Sequence, residues 1–370
     1  MKIVFISNGH GEDAIAANLA LQLIKLFPSY SVVGCPLVGN GHHYSAHNIS
    51  VGLKNPQFPS GGFIRSLSVL LKDIKAGLLR HVYSQITDLK QICDQADIVV
   101  CCGDVFCLVM GRLAHKNLYF LPTAKSETFM SHSFIEKLLI FRWSMLSFPR
   151  DELTTNVFKQ DNLPAKYFGN PMMDNLVSSR RVILALPGQT VIGLLPGSRK
   201  EAIKNLEFML QLCIQLAAKK SYMFLCAVSK NFSINELNLS TDWTISDHQF
   251  GTLATHKKNS THVLFTYEFL AVINQSDLII GLAGTANEQA CFLNKPVVCF
   301  EGFGPQSSLQ RFQEQRKLLG PLIKLSKSRD IAKITSLIET TLQVPIKSKP
   351  VIQQNASKDI VLEIIKDNQY

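Results

Sequence analysis

Two glycine turns in the second half of the chain carry the residue types that bind phosphate. In LLPGSRKEAIKNL (194–206) an apolar run ends in Pro196, Gly197 and Ser198, and a helical pattern begins after Arg199. The free N–H groups of a helix's first turn and its dipole both favour an anion, and an arginine adds a bidentate contact. In DLIIGLAGTANEQA (277–290) a second apolar run ends at Gly281, Gly284 and Thr285 form a turn, and Glu288 falls in the next helical turn. A carboxylate there can accept hydrogen bonds from a ribose diol. Two such turns and one acid in a single domain describe a site for a nucleoside diphosphate. No Walker pattern, G-x-x-x-x-G-K-[ST], occurs. A plain helix start with Arg199 solvated would account for the first turn taken alone; the second turn favours the phosphate.

The first half holds ionisable groups suited to proton transfer. SNGHGEDA (7–14) puts His10, Glu12 and Asp13 on a turn after an apolar strand. Gly9, Gly11 and Ala14 fit G-x-G-x-x-A, but a dinucleotide site also needs an acid after the second strand. No Asp or Glu occurs between Ala14 and Leu71. Acid–base work or hydroxyl recognition is the better reading. CCGDVF (101–106) places Asp104 beyond another apolar strand, either as a helix N-cap or as a carboxylate presented at the strand's end. LPTAKSETF (121–129) forms a third such loop, with Lys125, Ser126 and Glu127.

These loops need strands to present them. Short apolar runs alternating with amphipathic ones predict βα units and a largely parallel sheet. Strands are expected at 2–7, 30–35, 97–102, 117–122 and 165–170, then at 190–195, 222–227, 261–265, 277–281 and 296–300. Helices are expected at 14–27, 63–80, 104–115 and 133–144, then at 200–219, 267–275, 285–294, 306–319, 329–343 and 356–368. The polar segment 229–260 has no clear period. The fold class is α/β: two doubly wound Rossmann-like domains in series, facing a cleft. Their expected bounds are 1–175, a linker at 176–189, 190–345, and a tail at 346–370 whose helix packs back on the first domain.

With 46% hydrophobic and 18% charged residues the chain is globular, and no apolar run reaches the ~20 residues of a membrane span. The start, MKIVFISNGHGED, reads as a first strand rather than a signal peptide, so a cytoplasmic protein is expected. Nine cysteines sit largely in apolar runs without a CxxC pair, against a zinc or disulfide framework. The net charge of +10 suits an anionic partner. Its basic residues are scattered and no nucleic-acid module is present, so nucleic acid is not the expected one. Residues 63–80 are amphipathic; they either cover the sheet or lie on a membrane surface.

The pair LLPGSR…E and GTANEQA…NKPVV resembles the nucleotide half of GT-B glycosyltransferases, and more narrowly lipid-A-disaccharide synthase and its related branch. FGNPMMD (168–174) resembles that family's glycine-histidine-proline signature, with Asn170 in place of His. GHGEDAIAANL resembles its first turn loosely, and GPQSSLQRFQEQRKLLG (304–320) looks like the related branch. The resemblance implies an inverting glycosyltransferase that needs no metal or other cofactor. It would move a sugar from a UDP-sugar to a lipid acceptor, peripherally on the inner face of the cytoplasmic membrane. It implies that Gly197, Ser198, Arg199, Gly284 and Thr285 contact the diphosphate. Glu288, or Gln289 in another register, would meet the ribose. The backbone from Thr266 to Phe269 would meet the base, and Gln306 the sugar. Asp104 falls near the family's base, with His10 and Glu127 as further candidates; Gly11, Glu12, Asp13 and Lys125 lie on the acceptor side. A sugar-nucleotide epimerase and a non-catalytic nucleotide-sugar-binding subunit share this architecture and stay open.

Overall fold

The computed structural model describes residues 1–53, 75, 77–174, 176, 185, 188–198, 200–229, 239–259, 261–304, 307–345 and 355–368. The chain divides into two compact units, Met1–Asp174 with Gln354–Tyr370, and Asn175–Gln353.

The first unit is built on six parallel strands: β1 (Lys2–Ser7), β2 (Ser31–Pro36), β3 (Ser50–Val51), β4 (Ile98–Gly103), β5 (Leu118–Pro122) and β6 (Leu146–Ser147). Their order is β3-β2-β1-β4-β5-β6, so the winding direction reverses between β1 and β4. Both of these strands are buried almost throughout, and both read as continuous apolar runs, as strands covered on two faces must. The helices are α1 (His10–Leu26), α2 (His42–Ser45), α3 (Leu78–Cys93), α4 (Val105–Ala114), α5 (Phe134–Trp143) and α6 (Glu152–Gln160). Val4, Ile6, Val99, Cys101 and Phe120 of the sheet pack on Cys107, Leu108 and Met110 of α4, Ile140 of α5 and Phe158 of α6.

The second unit has eight strands: β7 (Val191–Leu195), β8 (Met223–Ala227), β9 (Trp243–His248), β10 (Gly251–His256), β11 (His262–Thr266), β12 (Leu278–Gly281), β13 (Val297–Cys299) and β14 (Ile323–Leu325). Their order is β14-β13-β12-β7-β8-β11-β10-β9, with the reversal between β12 and β7. Its helices are α7 (Ala202–Ala217), α8 (Phe269–Gln275), α9 (Thr285–Phe292), α10 (Leu309–Leu319) and α11 (Ile331–Gln343). The chain then returns to the first unit as α12 (Ala356–Asp367), which packs on α1. Asp174 accepts from the amides of Ala356 and Ser357 at 2.9 and 2.7 Å, so a residue far away in sequence caps α12.

Several expectations are corrected. Residues 165–170 do not form a strand; Ala165 makes one bridge to Ser147, because its neighbour β6 is only two residues long. The aperiodic 229–260 stretch holds β9 and β10, an antiparallel hairpin that extends the sheet from β11. Its outer strand is exposed at Thr244, Ile245, Ser246 and Asp247, which is why it lacks an apolar pattern. Helix α1 begins at His10, not at 14, and α3, α6 and β14 were not expected as they stand. The amphipathic segment 63–80 and the linker 176–189 lie mostly outside the described residues.

Candidate functional site

In the second unit both glycine turns leave the sheet at its reversal point. Leu195 of β7 is paired in register with Gly281 of β12, so Pro196-Gly197-Ser198 and Leu282-Ala283-Gly284 emerge side by side from carboxyl ends. In doubly wound sheets this is where ligands bind. Gly197 has φ +108°, a conformation that side-chain-bearing residues rarely adopt. Ser198 is exposed. Gly284 caps α9 without a side-chain partner, and Thr285 opens that helix. A depression lined by Pro196, Gly197, Leu206, Val228 and Ser229 adjoins the first turn.

Buried amides hold these loops. Asn205 donates to Pro196 O at 3.2 Å and accepts from the Phe303 amide at 2.7 Å, tying the first turn to the loop after β13. Asn287 donates to Gly281 O and to Gln315 Oε1, both at 3.2 Å, and Gln315 donates to Gly284 O at 2.9 Å. A Cβ on Gly281 would strike Asn287 Oδ1. Ser307 donates to Leu282 O at 3.0 Å. All four side chains are buried and each bonds backbone, so the turns present backbone N–H groups in fixed positions. None of the four was anticipated. For Asn205, Asn287 and Gln315 the available signal was a polar residue on an otherwise inward-facing helical position.

Glu288 is buried in the first turn of α9, and Gln289 is half-buried beside it. Thr266 ends β11 fully buried, its hydroxyl accepting from the Glu268 amide at 3.1 Å. Phe269, half-buried, opens α8. Arg199 and Gln306 lie outside the described residues.

In the first unit the reversal point between β1 and β4 carries Asn8 and Asp104. Asn8 donates to Asp104 Oδ1 at 2.6 Å, and Asp104 accepts from the Cys107 amide at 3.2 Å. Gly103 lies at φ +153°, and any Cβ there would collide with Asn8 Oδ1. The glycine therefore lets Asn8 approach the carboxylate. Asp104 is an N-cap in form, yet its carboxyl titrates above the ordinary range. Desolvation by the protein packed around it raises it, against the Cys107 amide and Asn8, which lower it. Asn8 was not anticipated; its place directly after β1 was the signal.

The other candidates are less open. Asp13 is turned inward. Ser7 donates to it at 2.7 Å and lies 2.7 Å from the Tyr44 hydroxyl, and burial foremost raises its carboxyl to about 7. Asp13 lies in the first turn of α1, which begins at His10. Glu12 folds back over Gly9, and Gly11 follows in the first turn of α1. The His10 side chain lies outside the described part. Lys125 is paired with Glu136 at 2.7 Å, which also closes the capping box of α5. Glu127 is bound by the His132 amide at 2.9 Å and ring at 2.8 Å. Burial raises its carboxyl, but the His132 contacts outweigh it and hold the group below its usual range. Among the described residues no cluster of three or more His, Cys, Asp or Glu could hold a metal ion.

The family model for lipid-A-disaccharide synthetase matches residues 151–301, which is less than half of the chain and contains both glycine turns. The chain resembles that family there. A comparison with curated protein sequences gives no match. Among solved structures, CalG4, the calicheamicin glycosyltransferase, is similar with TM-score 0.61 at 12% identity, over 100% of this chain and 94% of its own. The UDP-GlcNAc 2-epimerase from Neisseria meningitidis bound to UDP-GlcNAc gives 0.58 at 14%, over 99% and 100%. Acinetobacter baumannii MurG gives 0.55 at 13%, over 99% and 100%. The fold is that of the GT-B proteins. No described helix is long and apolar enough to cross a membrane.

Proposed function

We propose that the protein is a glycosyltransferase that moves a sugar from a UDP-sugar to a hydroxyl of a lipid acceptor, with inversion at the anomeric carbon. The observation that carries this reading is the pairing of both glycine turns at the reversal point of the second sheet, where their amides are fixed by Asn205, Asn287 and Gln315. Similar proteins bound to UDP (S. aureus MnaA) and to UDP-GlcNAc (the N. meningitidis epimerase) support the donor class. The match to lipid-A-disaccharide synthetase supports transfer to a lipid at the membrane surface.

In this reading the acceptor oxygen attacks the anomeric carbon as the bond to the diphosphate breaks. Asp104, oriented by Asn8, takes the acceptor proton. Its pKa, raised by desolvation, makes it a stronger base than an ordinary carboxylate. Gly197, Ser198, Arg199, Gly284 and Thr285 hold the leaving diphosphate through N–H groups, helix dipoles and one guanidinium, so no metal step is needed. Glu288 or Gln289 meets the ribose, the chain from Thr266 to Phe269 the base, and Gln306 the sugar. Calorimetry with UDP, followed by transfer of labelled sugar into extracted lipid, tests it. Absence of UDP binding would remove the donor site. Epimerases stand among the similar structures, so turnover of the UDP-sugar without any acceptor would turn the assignment to epimerase.

A further inference from the structure

Two cations on the second unit stand at the ligand-binding edge of the sheet without an acceptor. The Ser326 amide donates to Cys299 O at 2.8 Å, which ties the loop after β14 to the end of β13. Ser326 Oγ donates to Ser328 O at 2.8 Å and Ser328 Oγ accepts from the Asp330 amide at 3.1 Å, so the backbone before α11 is fixed. From this turn the Arg329 guanidinium lies over two rings, 5.0 Å from the centre of Phe208 and 4.5 Å from that of Phe303. From the first turn of α7, the Lys204 ammonium lies 5.9 Å from the centre of the same Phe303 ring. Phe303 is 36% exposed, and the Asn205 side chain that bonds its amide also bonds Pro196 O. The group therefore adjoins the first glycine turn within one unit.

The ring contacts position these charges but use none of their N–H groups as hydrogen-bond donors. Among the described residues neither Arg329 nor Lys204 has a hydrogen-bond acceptor or an ion-pair partner. The acids of the surrounding loops are placed otherwise: Asp330 accepts from the Lys333 amide at 2.9 Å, Glu201 lies against Gly304, and Glu301 is exposed. Two like charges brought to one ring repel each other, and an oxyanion between them replaces that repulsion with attraction. A guanidinium already set by aromatic neighbours also loses little freedom when it binds. We propose that Arg329 and Lys204, over Phe303, form a second oxyanion site beside the glycine turns, one that takes a phosphate or a carboxylate. Arg329 supplies a planar fork that matches either group, and Lys204 a point charge. Such an oxyanion has two sources, a free phosphate or an acid group on the sugar of the nucleotide sugar. The second source rests on the donor reading; the site itself does not.

The test is calorimetry on the full-length protein at constant ionic strength. Inorganic phosphate is titrated with UDP held in excess, and UDP-glucuronate is compared with UDP-glucose. Wild type should bind phosphate in the presence of UDP, or bind UDP-glucuronate more tightly than UDP-glucose. Arg329→Gln should lower that phosphate affinity, or that preference, at least about tenfold. Lys204→Gln, at an exposed position on α7, should act in the same direction and leaves the loop untouched. Lys317→Gln, which removes an exposed charge from α10, should change neither response and so accounts for net charge. A preference lost in the variants places the acid group on the sugar; variant-sensitive phosphate binding without a preference makes it a separate ligand. Wild type with neither response, or a response that either variant retains in full, would overturn the proposal. The donor reading is kept separate by UDP itself. If UDP does not bind but phosphate binding still depends on Arg329 and Lys204, the donor reading falls and the site stands. If UDP binds and neither response depends on them, the site falls alone.

Discussion

The two sheets reverse direction in the same way, yet they place opposite kinds of chemistry at the reversal. In the first unit the point between β1 and β4 carries titratable side chains, Asp104 held by Asn8 and Asp13 held by Ser7. Desolvation raises both carboxyls, Asp13 from within the protein interior and Asp104 where surrounding protein crowds it. In the second unit the point between β7 and β12 carries backbone, and its polar side chains are consumed in holding that backbone still. A side chain that takes up a proton does so most efficiently when its pKa lies near the working pH. A diphosphate is better held by dipoles that do not titrate. In the proposed reading the same fold supplies a proton-handling end and an anion-holding end, and the difference lies in a few residues after each strand.

Asp104→Asn attacks the comparison where it is strongest. Asn caps helices well and keeps the contact to the Cys107 amide, so the fold should survive. Transfer should fall ~10²–10⁴-fold, the range for losing a general base. UDP affinity should stay at the wild-type level, since the donor turns belong to the other unit. A fully active variant in a sugar-transfer assay would reduce Asp104 to a cap, and Asp104→Ala would then cost only ~1 kcal/mol of stability.

Asp13 sharpens the same contrast through pH. Its carboxyl titrates near 7 in the folded protein and near the ordinary carboxylate value in the unfolded chain. Between those values the folded state keeps a proton that the unfolded state has released. Stability therefore falls as pH rises from about 4 to about 7, by up to ~4 kcal/mol if the whole shift is realised. Asp13→Asn should flatten that slope. Denaturation midpoints measured across the window check it; parallel curves for variant and wild type would mean that Asp13 does not titrate there.

At the other end, Arg199→Ala should weaken UDP by roughly 1.5–3 kcal/mol, the scale of a hydrogen bond to a charged group. It should leave the pH profile of transfer unchanged, whereas Asn8→Ala, which removes the hydrogen bond on Asp104, should move that profile and spare UDP. Calorimetry and rate–pH profiles on the two variants decide. A profile shift from Arg199→Ala would blur the division between the two ends.

Much of this was legible beforehand because parallel strands covered on both faces must be continuously apolar. KIVFIS, VIGLL and LIIG stand out for that reason, and a glycine turn after each is easy to see. Strands β9 and β10 were not legible, since an antiparallel edge exposed to water carries Thr, Ser and Asp instead. Helix α12 was visible from its period, but its cap, Asp174, is not local to it. Within the site, Gly103 and Asp104 could be read as a turn and a cap. That Asn8 fills the space left by Gly103 depends on two strands being neighbours, which no local pattern states. That Asp13 is buried beside Ser7 was not legible either, because the sequence placed the start of α1 after it.

The smallest expected effect concerns the outermost restraint on the anion-holding end. The Arg329 guanidinium lies 4.5 Å from the Phe303 ring centre and 5.0 Å from that of Phe208, over the loop that Asn205 fixes from beneath. An exposed cation over an aromatic face contributes ~0.5–1 kcal/mol. Arg329→Ala should therefore cost about that much in urea denaturation. Gln315→Ala, which strips a buried amide from Gly284 O and leaves Asn287 with only Gly281 O as its oxygen acceptor, should cost ~1–3 kcal/mol and weaken UDP as well. The order is what matters. If restraint of the turns decides donor binding, the inner substitution must outrank the outer one in UDP affinity as well as in stability. Equal losses of UDP affinity would show that the loop after β13, and not the pinned glycine turns, carries the donor.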